Sequence, residues 1–410
     1  MPRRLDQYFT DTRIVRYLCR KRVASARLRR KDQFFVNVVG GNNPYAKGKP
    51  ELFRLLPPRH HWPRPDRTMR LRTNIDGPSL QAEVLAREVL KIVRLTIPPY
   101  PWAQNLKRLI IDIQRGAKYW KSKKIYKPAK ILAIPKKATA PNGKQRLLAV
   151  YSLRNSVLSS CFAAYIRDRI DPALYSNCLA FRSPRNGQSP PTHHDAIDKI
   201  LCHRVSIGAK KNIWVTECDI QGFFDAVSHT AIRAEFKSFL SRHCIRLHSR
   251  ALRFIDSFLA GYSFYTEAIP RALQDYHHRN LNSEQFADPR EAVMRLQIQP
   301  SLKYGIPQGS AISCLLANII LSKADSGVQR FLRSGRIEAK SLYIRFCDDI
   351  VILAPTKNGC KAALRRYLKS LRTLRLPYHP PSQTSGYSRD FWALPLTKID
   401  PLLLTKSEPP

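Results

Sequence analysis

No stretch of this chain reaches 18 consecutive apolar residues and no lipidation motif is visible, so a membrane-spanning or lipid-anchored reading finds no support. The opening residues, MPRRLDQYF, lack the apolar core of a signal peptide, and secretion is not expected. Cysteines at metal spacing are also missing. Nine are scattered singly from Cys19 to Cys360 without a C-x-x-C, and His60-His61, His193-His194 and His277-His278 have no cysteine nearby. This argues against a zinc site or a disulfide framework and fits reduced thiols in a cytoplasm. Acidic residues are scarce: 30 Asp plus Glu face 71 Lys plus Arg, a net +41 in 410 residues. That excess exceeds what solubility requires and points to a polyanionic partner; with no membrane signal, nucleic acid is the better reading.

What is present first is arginine among aromatics. Arg3, Arg4, Arg13, Arg16, Arg20, Lys21, Arg22, Arg27, Arg29, Arg30 and Lys31 are interleaved with Tyr8, Tyr17, Phe34 and Phe35. Phosphates take the charge and unstacked bases take the rings, so the pattern suits RNA, with Arg16, Arg20, Arg22, Arg27, Arg29 and Arg30 as contacts. A basic helix with a solvated face and a core stripe is the alternative. The run LPPRHHWPRPD at 56–66 reads as a Pro-rich connector. Leu80, Val84, Leu85, Val89 and Ile92 then predict a helix capped by Ser79, and a second helix is expected over about 103–113.

Residues 126–155 hold two β-rich runs around Ala140-Pro141-Asn142-Gly143, where Asn-Gly is a hairpin signal. They carry Lys136, Lys137, Lys144 and Arg146. Helices are expected at 156–170, through Ala196, Ile197, Ile200 and Leu201, at about 230–242 and at 250–260. The polar interval 271–300 reads as an insertion or mobile loop. Leu364, Tyr367, Leu368, Leu371 and Leu374 mark one more amphipathic helix, which Pro377 ends.

The chain is organised around YIRFCDDIVIL at 343–353, two strand-like runs flanking Cys347-Asp348-Asp349, a connection of hairpin length. Adjacent carboxylates repel and need solvent or a cation. A third carboxylate, Asp219, ends the strand-like run 213–219 and is followed by IQGFFDAVSH, a turn into a helix. Carboxylates so placed can hold two hard cations such as Mg²⁺, which clamp the attacking and leaving oxygens of a phosphoryl transfer. Between them in sequence lies YGIPQGSAISCLLANIIL, a Gly/Pro turn running into an apolar helix.

Read together, D-I-x-x-F-F-D-x-V-x-H, G-I-P-Q-G-S-x-x-S-x-L-L-A-N-x-x-L and Y-I-R-F-C-D-D resemble the palm of a reverse transcriptase, most closely the bacterial group II intron, retron and phage-defence types. The likeness spans about 126–376. It implies an α+β right-hand polymerase: a helical basic N-terminal extension (1–100), fingers (101–212), and a palm with an antiparallel sheet (213–376) carrying an insertion at about 265–303. A short tail (377–410) follows, with the thumb reduced or absent. The resemblance makes Asp219, Asp348 and Asp349 the catalytic set, with these three and the Ile220 carbonyl holding two Mg²⁺ ions, for which Mn²⁺ could substitute. It carries the triphosphate grip to Lys136 and Arg146, the steric gate against ribonucleotides to Phe224, and the nucleotide pocket to Gln308. Gly305 and Gly309 permit close backbone approach. Arg182, in the LAFRSPRNG run, falls in a segment that packs near the template, so it joins the RNA contacts.

Several positions depart from the family pattern. Phe346, Cys347, Cys314 and Ala180 replace a Tyr, an Ala or Met, a Pro and a Gly without touching the metal chemistry. The segment YHPPSQT at 378–384 lacks the Lys that family members often carry, and the residues after it are too few for a helical thumb. The basic N-terminus, a structured RNA, a second copy or a partner subunit is expected to supply the missing grip. The expected partners are thus an RNA template, a DNA product and deoxynucleoside triphosphates, with no membrane. The retron Val-Thr-Gly tripeptide is absent, and the phage-defence group, which works with a dedicated structured non-coding RNA, fits best. The competing readings are a catalytically silent RNA-binding relative, an RNA-templated RNA polymerase, a mobile-element enzyme, and untemplated or protein-primed DNA synthesis.

Overall fold

The computed structural model describes residues 3–39, 50–65, 77–120, 126–135, 145–184, 190–207, 213–275, 302–333, 341–378 and 394–395, with the backbone alone at 27–39, 50, 77–78, 135, 273–275 and 394–395. Its principal helices in chain order are α1 (Asp11–Val39), α2 (Gly77–Val93), α3 (Pro101–Lys118), α4 (Leu153–Ile170), α5 (His193–Ile207), α6 (His229–Arg242), α7 (Ser249–Ala260), α8 (Ala311–Arg333) and α9 (Lys357–Thr373). The strands are β1 (Lys130–Pro135), β2 (Gln145–Val150), β3 (Trp214–Cys218), β4 (Leu342–Phe346), β5 (Asp349–Ala354) and β6 (Leu394–Pro395). Most lie where periodicity puts them, and the differences fall at the ends of elements: α3 and α5 both run past their expected last residues, to Lys118 and Ile207. α2 begins at Gly77, ahead of Ser79, and α3 begins at Pro101, whose fixed φ and missing N–H suit a first helical turn.

The chain forms two units that interleave in sequence: Met1–Ala129 with Tyr151–Tyr165 and His248–Ser257, and Lys130–Val150 with Ile166–Leu247 and Phe258–Pro410. In the first, α1 packs along α2, and Ile14, Val15 and Leu18 of α1 and Leu85 and Val89 of α2 are buried. An aromatic cluster of Trp120, Tyr126, Phe162 and Phe254 closes this core, with Phe162 stacked on Phe254 at 4.2 Å between ring centroids. Fully burying such a ring contributes about 1.5–3 kcal/mol. The Pro-rich connector takes part in the packing, since Leu55 and Leu56 are buried and the Trp62 indole donates to the Pro57 carbonyl at 2.9 Å.

In the second unit, β1 and β2 pair antiparallel from Lys130↔Val150 to Pro135↔Gln145, and their connection lies outside the described residues. A four-stranded antiparallel sheet runs β4-β5-β3-β6. Helices α8 and α9 pack together and cover one face. α8 is long and apolar enough to cross a membrane by length and composition, yet most of it is buried inside the protein. α5 covers part of the other face, where Leu179, Ala196 and Ile344 form one apolar cluster and Ile207, Ile213 and Leu353 another. The expected insertion begins as packed structure: a π-helical turn, Phe264–Ala268, leads into a short helix, Ile269–Asp275, with Ala268 and Ala272 buried. Residues 276–300 lie outside the described residues.

Candidate active site

Strand register builds the acidic end of the sheet. β4 and β5 are joined by two residues, Cys347 and Asp348, because Phe346 pairs with Asp349. β5 pairs with β3 up to Cys218↔Ile350, so the next step of the same antiparallel register sets Asp219 beside Asp349. Side chains alternate along a strand, which places Glu217, Asp219 and Asp349 on one face and Cys218 and Ile350 on the other. The apolar cover from α5 reaches Phe346, against which His193 stands edge-on at 6.4 Å. Beyond it Asp219 and Asp349 are exposed and Asp348 is half-buried. Crowding by the protein raises the Asp349 carboxyl to about 6, and the charges of Asp348, Asp219 and Glu217 add to the shift. Its exposure lets solvent screen part of that repulsion.

These donors are hard oxygen ligands at an open edge, a set that fits Mg²⁺, which keeps several waters and takes substrate phosphate as ligand. Among the described residues no group of three or more acidic, His or Cys side chains is placed to hold a metal ion by itself, so water and substrate phosphate would have to complete the coordination. Ile220 has its side chain buried and its backbone bridged to Tyr378, while the Gln221 amide donates to the Pro377 carbonyl at 3.0 Å. The backbone following Asp219 is thereby held in place.

A cavity of about 340 Å³ brings together Arg146, Phe224 and Gln308 with Ile134, Leu148, Gly309, Ser310, Ser313 and Cys314. Its walls come from distant parts of the sequence and are sewn by backbone bonds. The Ala149 amide donates to the Gln308 carbonyl at 2.9 Å, and the Ile306 amide to the Phe224 carbonyl at 2.7 Å. Gly309 at φ +98 lies so close to β2 that a Cβ would sit 3.0 Å from the Ala149 carbonyl. Phe224 is half-buried with its ring on the cavity, whereas Phe223 is buried at 1 % exposure and meets it edge-on at 5.3 Å. Gln308 Nε2 approaches the buried Asp225 carboxylate at 3.5 Å. His229 is buried, its Nε2 donates to the Gly305 carbonyl at 2.8 Å, and burial pushes its imidazole down to about 4.

Lys136 and the side chains of Arg27, Arg29 and Arg30 lie outside the described residues. Arg16 and Arg20 are exposed, with Glu83 at 3.0 and 3.9 Å. Two expected RNA contacts are corrected. Arg182 is 3 % exposed and its guanidinium is held by Asp171 at 2.7 Å and by the Tyr175 and Cys178 carbonyls at 2.8 and 2.6 Å. Arg22 is 6 % exposed and lies over the Phe53 and Trp62 rings at 4.0 and 5.0 Å. Both are interior cations whose donors face protein. Sequence reasoning also missed Asp225 and the buried Arg345–Asp325 pair behind the Asp348 turn. The available signal for Arg345 was a charge at an inward position of an alternating strand.

The antiparallel sheet, its helical cover and the acidic edge fit an α+β polymerase fold. The model of the reverse transcriptase (RNA-dependent DNA polymerase) family matches residues 134–381, and the chain belongs to that family. No curated protein matches it significantly. Among solved structures it is similar to apo telomerase from Candida tropicalis at 13 % identity and TM-score 0.40, covering 76 % of this chain and 56 % of that one. It is also similar to telomerase from Candida albicans in complex with a TWJ fragment of telomeric RNA, at 15 % identity and TM-score 0.38, covering 76 % and 54 %. The chain thus spans just over half the length of these structures.

Proposed function

We propose that this chain is an RNA-directed DNA polymerase that adds deoxynucleotides to a 3′-hydroxyl along an RNA template. The register that sets Asp219 beside Asp349, with Asp348 in the adjoining turn, carries the reading. Two divalent cations, Mg²⁺ or Mn²⁺, bound at these carboxylates and the Ile220 carbonyl would supply the charge that activates the hydroxyl and steadies the departing pyrophosphate. The chain's own residues do the rest. Arg146, with Lys136, grips the triphosphate, and Gln308 and the close backbone at Gly309 shape the pocket around the nucleotide. The Phe224 ring lies against the sugar, where it leaves no room for a 2′-hydroxyl.

The basic face of α1 would take template phosphates, and the net +41 supports a large RNA partner. In biological setting we place the chain with the bacterial phage-defence reverse transcriptases of the cytoplasm, acting with a dedicated structured non-coding RNA and with a second copy or partner to hold the duplex. The test is incorporation of labelled deoxynucleotide by the purified chain on a primed RNA template with Mg²⁺. Incorporation with deoxynucleotides that also requires the template supports the reading. A metal-replete, folded protein that binds RNA and incorporates nothing would leave the silent RNA-binding relative in its place.

A further inference from the structure

Arg345 is 0 % exposed, one of the large side chains buried completely among the described residues. Its position in β4 explains the direction it takes. Tyr343 and Arg345 point to the face covered by α8 and α9, while Ile344 and Phe346 point to the acidic face. Stability alone does not account for a charge in that place. A buried ion pair is often no better than apolar residues of the same volume, because both ions must first be stripped of water.

What the guanidinium does, and an apolar side chain would not, is hold the turn. Nε and Nη2 donate to the two carboxylate oxygens of Asp325 at 2.8 and 2.7 Å. Nη1 donates to Asn318 Oδ1 at 3.0 Å and to the Cys347 carbonyl at 2.7 Å. Both partners on α8 are fixed in turn. Tyr343 Oη donates to Asp325 at 2.6 Å, and Asn318 Nδ2 donates to the Ala180 carbonyl at 2.9 Å. Cys347, the residue so held, has φ +61, a left-handed conformation that is strained for an L residue. It is the first of the two turn residues, and Asp348 is the second.

We propose that Arg345 is a positioning residue for the catalytic turn: anchored on α8, its guanidinium fixes the Cys347 carbonyl and so sets where Asp348 presents its carboxylate to a divalent cation. This rests on the polymerase reading of the site. The planar fork is essential to the role, since it reaches the Asp325 carboxylate, the Asn318 amide and the Cys347 carbonyl at once. A lysine keeps the charge opposite Asp325 but not the fork.

Two variants test it in the full chain. Arg345→Lys removes the fork. Arg345→Met combined with Asp325→Leu and Tyr343→Phe removes the pair and its hydroxyl partner together, so that none of the three is left unpaired inside the fold. Mn²⁺ binding, read without nucleotide from the electron paramagnetic resonance of free Mn²⁺, should weaken about 10- to 100-fold in both, the range seen when a group supporting a metal ligand is lost. The kcat for incorporation should fall by a similar factor while KM for deoxynucleotide stays near the wild-type value. The triple variant should melt close to the wild type, which covers the case in which Arg345→Lys fails to fold. A folded variant with wild-type Mn²⁺ affinity and wild-type kcat overturns the role of Arg345 and leaves the polymerase reading standing. A wild-type chain that neither binds Mn²⁺ nor incorporates nucleotide takes both down.

Discussion

Phe223 and Phe224 are neighbours with opposite surroundings, one sunk in the core and one facing the cavity. Phe223→Ala should therefore cost about 3–5 kcal/mol of stability. Phe224→Val should act on selectivity, raising ribonucleotide relative to deoxynucleotide incorporation by roughly 10- to 100-fold, the scale on which pocket shape discriminates. Competition between the two nucleotides in primer extension measures it, and an unchanged ratio would make Phe224 a packing residue. His229 gives a separate test through pH. Its folded pKa, near 4, lies below the usual 6.5, so the unfolded chain takes up the proton first. The stability it supports is full above about pH 6.5 and is lost as pH falls toward 4, by at most ~1.4 kcal/mol per pH unit. The urea midpoint should drop between about pH 7.5 and pH 5, and His229→Gln should make that drop shallower. An equally steep drop in the variant would assign the titration elsewhere.

At the scale of elements, the acidic hairpin and the turn at 304–310 were legible in the sequence because each is local. Alternation, a two-residue connection and Gly/Pro punctuation are all read within a dozen residues. Gly305 shows why that turn tolerates so little. It lies at φ +85, donates its amide to the Val227 carbonyl at 2.8 Å, and a Cβ there would stand 2.8 Å from Phe264 Cβ. Gly305→Ala should lower stability by about 1–2 kcal/mol from the backbone conformation alone, and the contact with Phe264 adds to it. Chemical denaturation checks this, and a loss below a few tenths of a kcal/mol would mean the turn relaxes freely. The fates of Arg22, Arg182 and Arg345 were not legible. Arg22 and Arg345 are buried through partners remote in sequence and Arg182 through a folded-back loop that Asp171 closes, and in a chain with 71 cations an interior arginine looks like a surface one. The Pro-rich run is the irregular connector its prolines announce, but prolines give no sign that Leu55 and Leu56 at its start are core.

For the molecule as a whole, serial motifs could not reveal that the two units interleave, since α4 begins in one and ends in the other. Nor does the sequence alone say that the second unit draws its cavity from β1, β2, the turn after Asp219 and the start of α8. That convergence gives three sequence-assigned nucleotide contacts, Arg146, Phe224 and Gln308, one shared wall. Isosteric neutralisation isolates the role proposed for the acidic edge. Asp348→Asn keeps the size of the side chain and removes its charge. The most direct measurement is deoxynucleotide incorporation by Asp348→Asn against the wild type on the same primed RNA, with a melting curve in chelator taken on the same preparations. The account predicts incorporation reduced at least about 100-fold, the scale on which a group stabilising the transition state counts, with a melting temperature equal to or above the wild type because a repelling carboxylate is gone. Wild-type incorporation by the folded variant would contradict it.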